Sequence, residues 1–351
     1  MAKKKPDDAA AEAERRFKAD LKAGTLGSFY IICGEEAFLR SHYVELATKK
    51  LTDGPAGEFN FHRFSADDCT PQALADAIDA MPMMAERTLV RVDDVDLFKQ
   101  PEGAREQYAA ILSDIPDYCC VLFVYDTVEF KINSTMKKLA AAVKEHAQIV
   151  SFDKQSERSL CAWITRHFRA HGKSVTDELC QYLIFRTDGL MTTLGGEIDK
   201  IAAYQEGDAI TRGAIDAVVI PALSAQTFDI SDAVVNRDFE KALFKLQELY
   251  AMQTDPIVVL GAIGAQLRRL YYARVILSSG GGQKELMELT GLKSYPAGLT
   301  MTAARRVTDR FCQSAIQLVL DTDLSMKTSA GEQEQLLELL LVRLAQGAQH
   351  G

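Results

Sequence analysis

A glycine-containing turn near the start of the chain lies where a phosphate-binding loop would be expected. Such loops carry the pattern G-x-x-x-x-G-K-[ST] between a strand and a helix, because backbone amides wrap the phosphates, lysine neutralises them and the hydroxyl holds magnesium. Here the turn reads Gly34, Glu35, Glu36 and contains no lysine. Two carboxylates would repel a triphosphate. The sequence therefore predicts that this chain does not hydrolyse ATP.

Two other segments resemble parts of a nucleotide site. The tripeptide Gly172–Ser174 has the glycine, lysine and serine of the loop, but His167 stands where its first glycine is required. We interpret the tripeptide as the end of a helix. Asp93 and Asp94 follow an apolar run and resemble a magnesium-binding strand end. Without a phosphate cradle, a solvated strand end is the favoured interpretation.

One histidine pair has the spacing of metal ligands. His167 and His171 are four residues apart, which would place both rings on one helix face. No third ligand follows nearby in the sequence and the glutamate of H-E-x-x-H is absent, so a polar helix face is the favoured interpretation. A G-x-S-x-G turn is also absent. The sequence thus predicts no catalytic residues and no metal site.

The elements that must position these residues alternate between strand and helix through residue 152. Thr70 and Pro71 provide an N-cap and first helical position, and further helices are predicted over 104–112 and 133–144. The predicted strands are short apolar, β-branched or aromatic runs at Phe29–Cys33, Phe59–Phe64, Leu89–Val92, Cys119–Tyr125 and Gln148–Phe152. Such alternation is typical of a parallel sheet covered by helices on both faces.

Beyond residue 152 the strand signal disappears. Ser156 is predicted to cap a helix, Pro221 marks a boundary, and Asp255 with Pro256 begins a helix of roughly twenty residues. Two more long helices are predicted over 303–326 and 332–344. The predicted fold class is α/β plus all-α, with an α/β domain over 1–152, a small helical domain over 153–220 and a helical domain over 221–351.

The composition is that of a globular protein. The chain has 351 residues, 47% of them hydrophobic, and a formal charge of −9, so its average surface would repel nucleic-acid phosphates. None of its seven cysteines forms a C-x-x-C pair, and no apolar run reaches the ~18 residues that a membrane helix needs. We expect a reduced, cytoplasmic protein.

Several segments together resemble the delta subunit of the bacterial DNA polymerase III clamp loader, from about Leu21 to Leu344. Tyr30–Leu39 is similar to that family's strand, G-E-E turn and following Phe-Leu, and Met81–Val90 to its helix end, Arg and hydrophobic strand. Further resemblance lies at Ser156–Leu160, Trp163, Ile164, Gly195, Glu197, Lys200, Ile201, Asp255–Ile257, Gln266, Arg268, Asp321, Asp323, Leu324, Met326 and Lys327. Gly196 replaces the family's usual Asn.

This resemblance implies a fold and a mechanism. The α/β domain would be AAA+-like without a P-loop, and the C-terminal domain would be a collar for assembly of a pentameric ring. The subunit would press an apolar helix end, here Met83 and Met84 with Pro82 and Arg87, into a pocket on the sliding clamp. The family often has Leu-Phe at the two methionines.

The resemblance also implies the partners. These are the sliding clamp (beta subunit), the gamma/tau and delta-prime clamp-loader subunits, and primed DNA within the complex. The chain itself would have no cofactor, because ATP is bound by partner subunits only. It would be a non-catalytic subunit of a DNA-directed DNA polymerase holoenzyme that acts in DNA replication.

Alternatives stay open for the same residues. Met81, Met83 and Met84 could fill the domain core between helix and strand, since Met is a common gap-filler. The whole chain could instead be a degenerate AAA+ ATPase or a DNA-binding regulatory protein. The candidates for DNA or partner contact are Arg268, Arg269, Tyr271, Tyr272, Arg274 and Lys327, and a surface for partner helices is favoured over DNA.

Overall fold

The computed structural model describes residues 6–54, 56–328 and 332–349. The chain divides into two compact units, one ending at Gln155 and the other beginning at Ser156. The predicted division of the second part at residue 220 into two helical domains stays a prediction.

The first unit contains a five-stranded sheet in which every neighbouring pair is parallel. The strand order is β2-β3-β4-β1-β5, so β1 lies between β4 and β5. The strands are β1 (Phe29–Cys33), β2 (Phe61–Phe64), β3 (Thr88–Asp93), β4 (Cys119–Val124) and β5 (Gln148–Ser151). The predicted parallel sheet and α/β fold of this unit are confirmed.

Five helices cover this sheet. They are α1 (Pro6–Ala23), α2 (Ala37–Leu51), α3 (Pro71–Asp79), α4 (Glu102–Leu112) and α5 (Lys137–His146). Successive strand residues point to opposite faces. Ile31 therefore packs in the core formed with α3, α4 and α5, whereas Tyr30 and Ile32 pack in the core that contains Phe17 of α1. With apolar cores on both faces, the strands can be hydrophobic throughout, as the run Cys119–Val124 is.

The second unit is helical. Its helices are α6 (Glu157–Ala170), α7 (Asp177–Thr187), α8 (Met191–Tyr204), α9 (Arg212–Val218), α10 (Leu223–Val235), α11 (Phe239–Ala251), α12 (Pro256–Ser278), α13 (Gln283–Thr290), α14 (Ser294–Ala304), α15 (Asp309–Thr328) and α16 (Gln333–Gln349). Helices α10 to α16 share one hydrophobic core, at the centre of which lie residues such as Leu246, Ile263 and Leu340.

Three predicted helix starts agree with the structure, whereas the helix predicted over 133–144 begins at Lys137. The Thr70 hydroxyl accepts a hydrogen bond from the Ala73 amide (3.2 Å), and the Asp255 carboxylate accepts one from the Ile257 amide (2.7 Å). These bonds satisfy amides that have no partner within the helix. The Ser156 hydroxyl caps α6 in the same way. Gly172 follows the end of α6 with φ of +72°, which confirms the helix-end interpretation of Gly172–Ser174.

Two predicted elements differ from the structure in kind or in number. Phe59, predicted to begin a strand, lies in a 3-10 helix (Gly57–Asn60), and β2 begins at Phe61. A Cβ at Gly57 would lie 1.9 Å from the Thr52 carbonyl oxygen, so the chain turns there too tightly for a strand. The helix predicted over 303–326 is two helices, because α14 ends at Ala304 and α15 begins at Asp309.

Among the described residues, no single helix combines the length and the apolar composition needed to cross a bilayer. The consecutive helices α9 and α10 meet both requirements only as a pair, with a bend of 114° between them.

Candidate protein-interaction site

The segment between α3 and β3 presents three methionines to solvent. The exposed fractions are 80% for Met81, 56% for Met83 and 86% for Met84. Large apolar side chains exposed together in one short loop usually mark an interaction surface. The alternative that these methionines fill the domain core is therefore wrong, and the segment is available to a partner.

The backbone at Met84 has an unusual conformation. Its φ angle is +53°, in the left-handed region that residues with a Cβ rarely adopt. Such a conformation costs of order 1–2 kcal/mol for an L-residue. Strain of this kind persists only where the surrounding structure imposes it, and it is commonest at functional sites.

A buried asparagine holds the backbone of Met83, the residue directly before Met84. The Asn60 side chain, only 2% exposed, accepts a hydrogen bond from the Met83 amide (2.6 Å) and donates one to the Met83 carbonyl (2.8 Å). Its amide nitrogen also donates to the Ala56 carbonyl (2.9 Å). The sequence pattern did not single out this residue. The available signal was a lone amide residue flanked by Phe59 and Phe61.

Arg87, at the C-terminal end of the segment, is hydrogen-bonded to the backbone of neighbouring strands. Its guanidinium donates to the carbonyls of Leu26, Gly27 (3.0 Å) and Cys119 (3.0 Å). These bonds tie the start of β3 to the start of β1 and the start of β4. Arg87 is therefore committed to backbone partners within the chain, and its predicted contact with a clamp stays a prediction. Pro82 is half-buried beside the exposed methionines.

A fourth exposed apolar side chain belongs to the residue directly before Asn60. Phe59 is 70% exposed and directly precedes the asparagine that holds Met83. Its aromatic side chain had favoured a strand in the sequence pattern. Phe59 with Met81, Met83 and Met84 constitutes what we call the apolar tip, and Asn60 and Arg87 anchor its backbone.

Backbone and side-chain groups of the chain itself lie against the turn that follows β1. Gly34 has φ of +111°, and a Cβ there would lie 2.3 Å from the Phe152 carbonyl oxygen. Arg40 is buried, donates to the Gly34 carbonyl and forms an ion pair with Asp126. Glu35 forms an ion pair with Lys154 (2.8 Å) at the surface. These two cations beside the turn are thus already paired with carboxylates.

The two aspartates at the end of β3 also have intramolecular partners. Asp93 forms ion pairs with Arg63 and Arg91, both at 2.7 Å. Asp94 accepts hydrogen bonds from the Asp126 amide (2.7 Å), the Thr127 amide (3.0 Å) and hydroxyl (2.8 Å), and the Val128 amide (3.2 Å). Asp94 therefore organises the loop after β4, whereas Asp93 pairs with arginines of β2 and β3.

The basic and aromatic residues of α12 do not form one surface. Arg268 and Tyr272, one helical turn apart, are exposed, whereas Tyr271 packs against the helical core. Arg269 is half-buried, and burial together with the neighbouring Arg268 lowers its pKa. Two further candidates are already engaged in ion pairs, namely Arg274 with Asp309 (3.0 Å) and Lys327 with Asp323 (2.7 Å).

Comparison with known proteins places the chain in a family. The family model for the DNA polymerase III delta subunit matches residues 30–153, and the model for the C-terminal domain of that subunit matches residues 224–344. A DNA polymerase III subunit delta from Bacillus subtilis is 24% identical over 331 residues, which cover 92% of this chain and 94% of the relative. A probable DNA polymerase III subunit delta from Aquifex aeolicus is 20% identical and covers 76% of each chain.

A solved structure has the same fold. The Bacillus subtilis DNA clamp loader delta protein superimposes with a TM-score of 0.53 at 21% identity, covering 95% of this chain and 99% of that one. The two family models match both the sheet-containing unit and most of the helical one. This chain belongs to the family of DNA polymerase III delta subunits.

Proposed function

We propose that this chain binds and opens the sliding clamp so that the clamp can be loaded onto primed DNA during replication. The proposal rests on membership of the delta subunit family and on one structural observation. That observation is the apolar tip, whose methionines are exposed while their backbone is held by Asn60.

The apolar tip has the chemistry of a docking element. Moving a methionine side chain from water into an apolar pocket contributes roughly 1.5 to 3 kcal/mol. Met83 and Met84 together would supply about 3 to 6 kcal/mol, and a flexible thioether adapts to the shape of a preformed pocket. If the pocket is fully available only in the opened clamp, this difference in affinity favours opening.

The rigid backbone of the tip supports the same function. Fixing the backbone of a flexible loop on binding costs roughly 1 to 2 kcal/mol for each residue. The two hydrogen bonds between Asn60 and Met83 fix the backbone before the partner arrives. Asn60 and Arg87 therefore act as positioning residues, and the methionine side chains make the contact.

Nucleotide chemistry would come from the neighbouring subunits. The gamma/tau and delta-prime subunits are the partners implied by the family, and we propose that ATP is bound by partner subunits only. The pairing of Arg40 with Asp126 and of Lys154 with Glu35 supports this, because both cations beside that turn are already neutralised and would have to exchange a carboxylate for a triphosphate. In this proposal the chain works in the cytoplasm and has no catalytic site of its own.

The proposal is tested by titrating the purified chain into its cognate sliding clamp in a calorimeter. The double substitution Met83→Ala and Met84→Ala should weaken binding by about 100-fold or more. Asn60→Ala keeps both methionines but frees their backbone, and should weaken binding by a smaller factor. Opening is followed with two dyes placed across a subunit interface of the clamp, whose separation should increase with the unsubstituted chain and not with the double variant.

The matched control is Leu289→Ala, which removes a large apolar side chain that is also exposed but lies in α13 of the other unit. It should bind as the unsubstituted chain does. Circular dichroism of every variant checks that the fold is intact. If the double variant is folded and binds the clamp as tightly as the unsubstituted chain, the apolar tip is not the docking element.

A further inference from the structure

Three potential metal ligands converge on the surface of the helical unit. His167 and His171 lie one turn apart at the end of α6, and Asp199 lies on α8. The Asp199 Oδ1 atom is 2.9 Å from Nε2 of His171 and 3.5 Å from Nε2 of His167. The sequence shows no third ligand close to the histidine pair. The fold supplies one from 28 residues further along the chain.

We propose that His167, His171 and Asp199 bind a divalent transition-metal ion of the zinc and nickel class. Imidazole nitrogens and a carboxylate oxygen are ligands that such ions accept. Metal–ligand bonds of about 2.0 to 2.2 Å at tetrahedral or octahedral angles place neighbouring ligand atoms about 2.8 to 3.6 Å apart. The two distances to Asp199 lie in this range, and all three ligand atoms lie within 4.8 Å of one another.

The geometry favours a site over an ordinary surface ion pair. A single carboxylate oxygen is close to both imidazoles, so the three side chains already surround one point. The Trp163 ring packs on His167 with its centroid 4.8 Å from that of the imidazole, which restricts the orientation of the first ligand. His171 and Asp199 are exposed and His167 is half-buried, so an ion can enter from solvent and water can complete its coordination.

A bound ion would have a structural consequence. His167 lies in α6, His171 directly follows its last residue, and Asp199 lies in α8, so the ion would join two helices that pack against each other. An ion that binds the folded chain and not the unfolded one raises the thermal midpoint. The three ligands lie in the helical unit, so metal binding there is independent of the proposed clamp binding.

The test uses the single tryptophan of the chain as a local reporter. Ni²⁺, an open-shell ion, should quench Trp163 fluorescence when it binds to the adjacent His167. With the full untagged chain we expect a saturable loss of emission at one equivalent of Ni²⁺, reversed by excess Zn²⁺. His171→Gln and Asp199→Asn each remove one ligand and should raise the half-saturating Ni²⁺ concentration at least about ten-fold.

His146→Gln is the matched control, because it removes another exposed histidine at the end of α5. It should leave the nickel titration unchanged. Zn²⁺ should raise the thermal midpoint of the unsubstituted chain and of His146→Gln but not of Asp199→Asn. Quenching that does not saturate, or that is equally strong in Asp199→Asn, would overturn the proposal.

Discussion

At the scale of single residues, the apolar tip combines two unfavourable features. Met84 exposes 86% of its side chain and holds a φ angle of +53°. Neither feature stabilises the isolated fold, since exposed apolar surface gains nothing and the left-handed backbone costs energy. A partner that covers the side chain would offset both. The proposed docking role would explain a residue that folding alone does not favour.

We expect Met84→Gly to change the stability of the fold and the affinity for the clamp in opposite directions. Glycine adopts a positive φ without a Cβ clash, which recovers about 1–2 kcal/mol of strain. The greater freedom of glycine in the unfolded chain removes about 0.4–1 kcal/mol of that gain. The free energy of unfolding, measured by urea titration, should rise by up to about 1 kcal/mol, whereas affinity for the clamp should fall.

The control for this prediction is Met83→Gly, because Met83 has an ordinary negative φ. At position 83 glycine relieves no strain and loses more conformational entropy on folding than methionine does. The free energy of unfolding should therefore fall by roughly 0.5–1 kcal/mol. A loss of stability in Met84→Gly comparable to that in Met83→Gly would show that position 84 holds no recoverable strain.

At the scale of elements, one carboxylate joins the ends of β3 and β4. The Asp94 carboxylate accepts hydrogen bonds from three backbone amides and one hydroxyl of residues 126–128. Burial by itself would raise the pKa of Asp94, but the hydrogen bonds from Thr127, Asp126 and Val128 together outweigh it, and the pKa is lowered. The charged form is therefore the one that stabilises this loop.

We expect Asp94→Asn to destabilise the fold in a pH-dependent way. Asparagine presents an NH₂ group where donors already converge, and the lost charge-assisted bonds should cost about 1–3 kcal/mol at pH 7. Because the folded pKa lies below the unfolded value of about 3.9, the Asp94 contribution is complete above that value. It is lost as the pH falls through the folded pKa.

Urea unfolding at a series of pH values checks this prediction. The difference between the unsubstituted chain and Asp94→Asn should be constant from pH 7 to about 5 and should shrink in more acidic solution. The control is Asp117→Asn, an exposed position expected to change the free energy of unfolding by less than about 0.5 kcal/mol. A difference that grows on acidification would contradict the proposed role of the carboxylate.

At the scale of the whole molecule, the charge distribution opposes DNA binding by the free chain. The formal charge is −9, and two of the six candidate contacts, Arg274 and Lys327, are paired with aspartates. Tyr271 packs against the helical core. Of the cluster on α12, the exposed residues on one face are Arg268 and Tyr272, too few for a phosphate-binding groove.

The full chain alone should therefore bind a labelled DNA duplex more weakly than the ~10⁻⁴ M that marks the weak end of non-specific binding at physiological salt. Fluorescence anisotropy at several salt concentrations measures this. Micromolar binding with a steep salt dependence, abolished by Arg268→Ala, would revive the DNA-binding alternative.

Features that depend on neighbours along the chain were predictable from the sequence. Periodicity located the five strands, with Phe59 misassigned, and the caps at Thr70, Ser156 and Asp255 located three helix starts. The turn at Gly34 indicated the missing phosphate loop. The prediction of one continuous helix over 303–326 was wrong. The Thr308 hydroxyl accepts a hydrogen bond from the Phe311 amide (3.2 Å), and a second helix begins at this cap.

The contacts between residues that are distant in the sequence were visible only in the folded structure. Asn60 reaches Met83 across 23 residues, His171 reaches Asp199 across 28, and Arg40 reaches Asp126 across 86. Local propensity carries no information on such contacts, because they depend on how helices and strands pack. The sequence located the methionine segment, and the packing of Asn60 and Arg87 around it decided that the methionines point into solvent and not into the core.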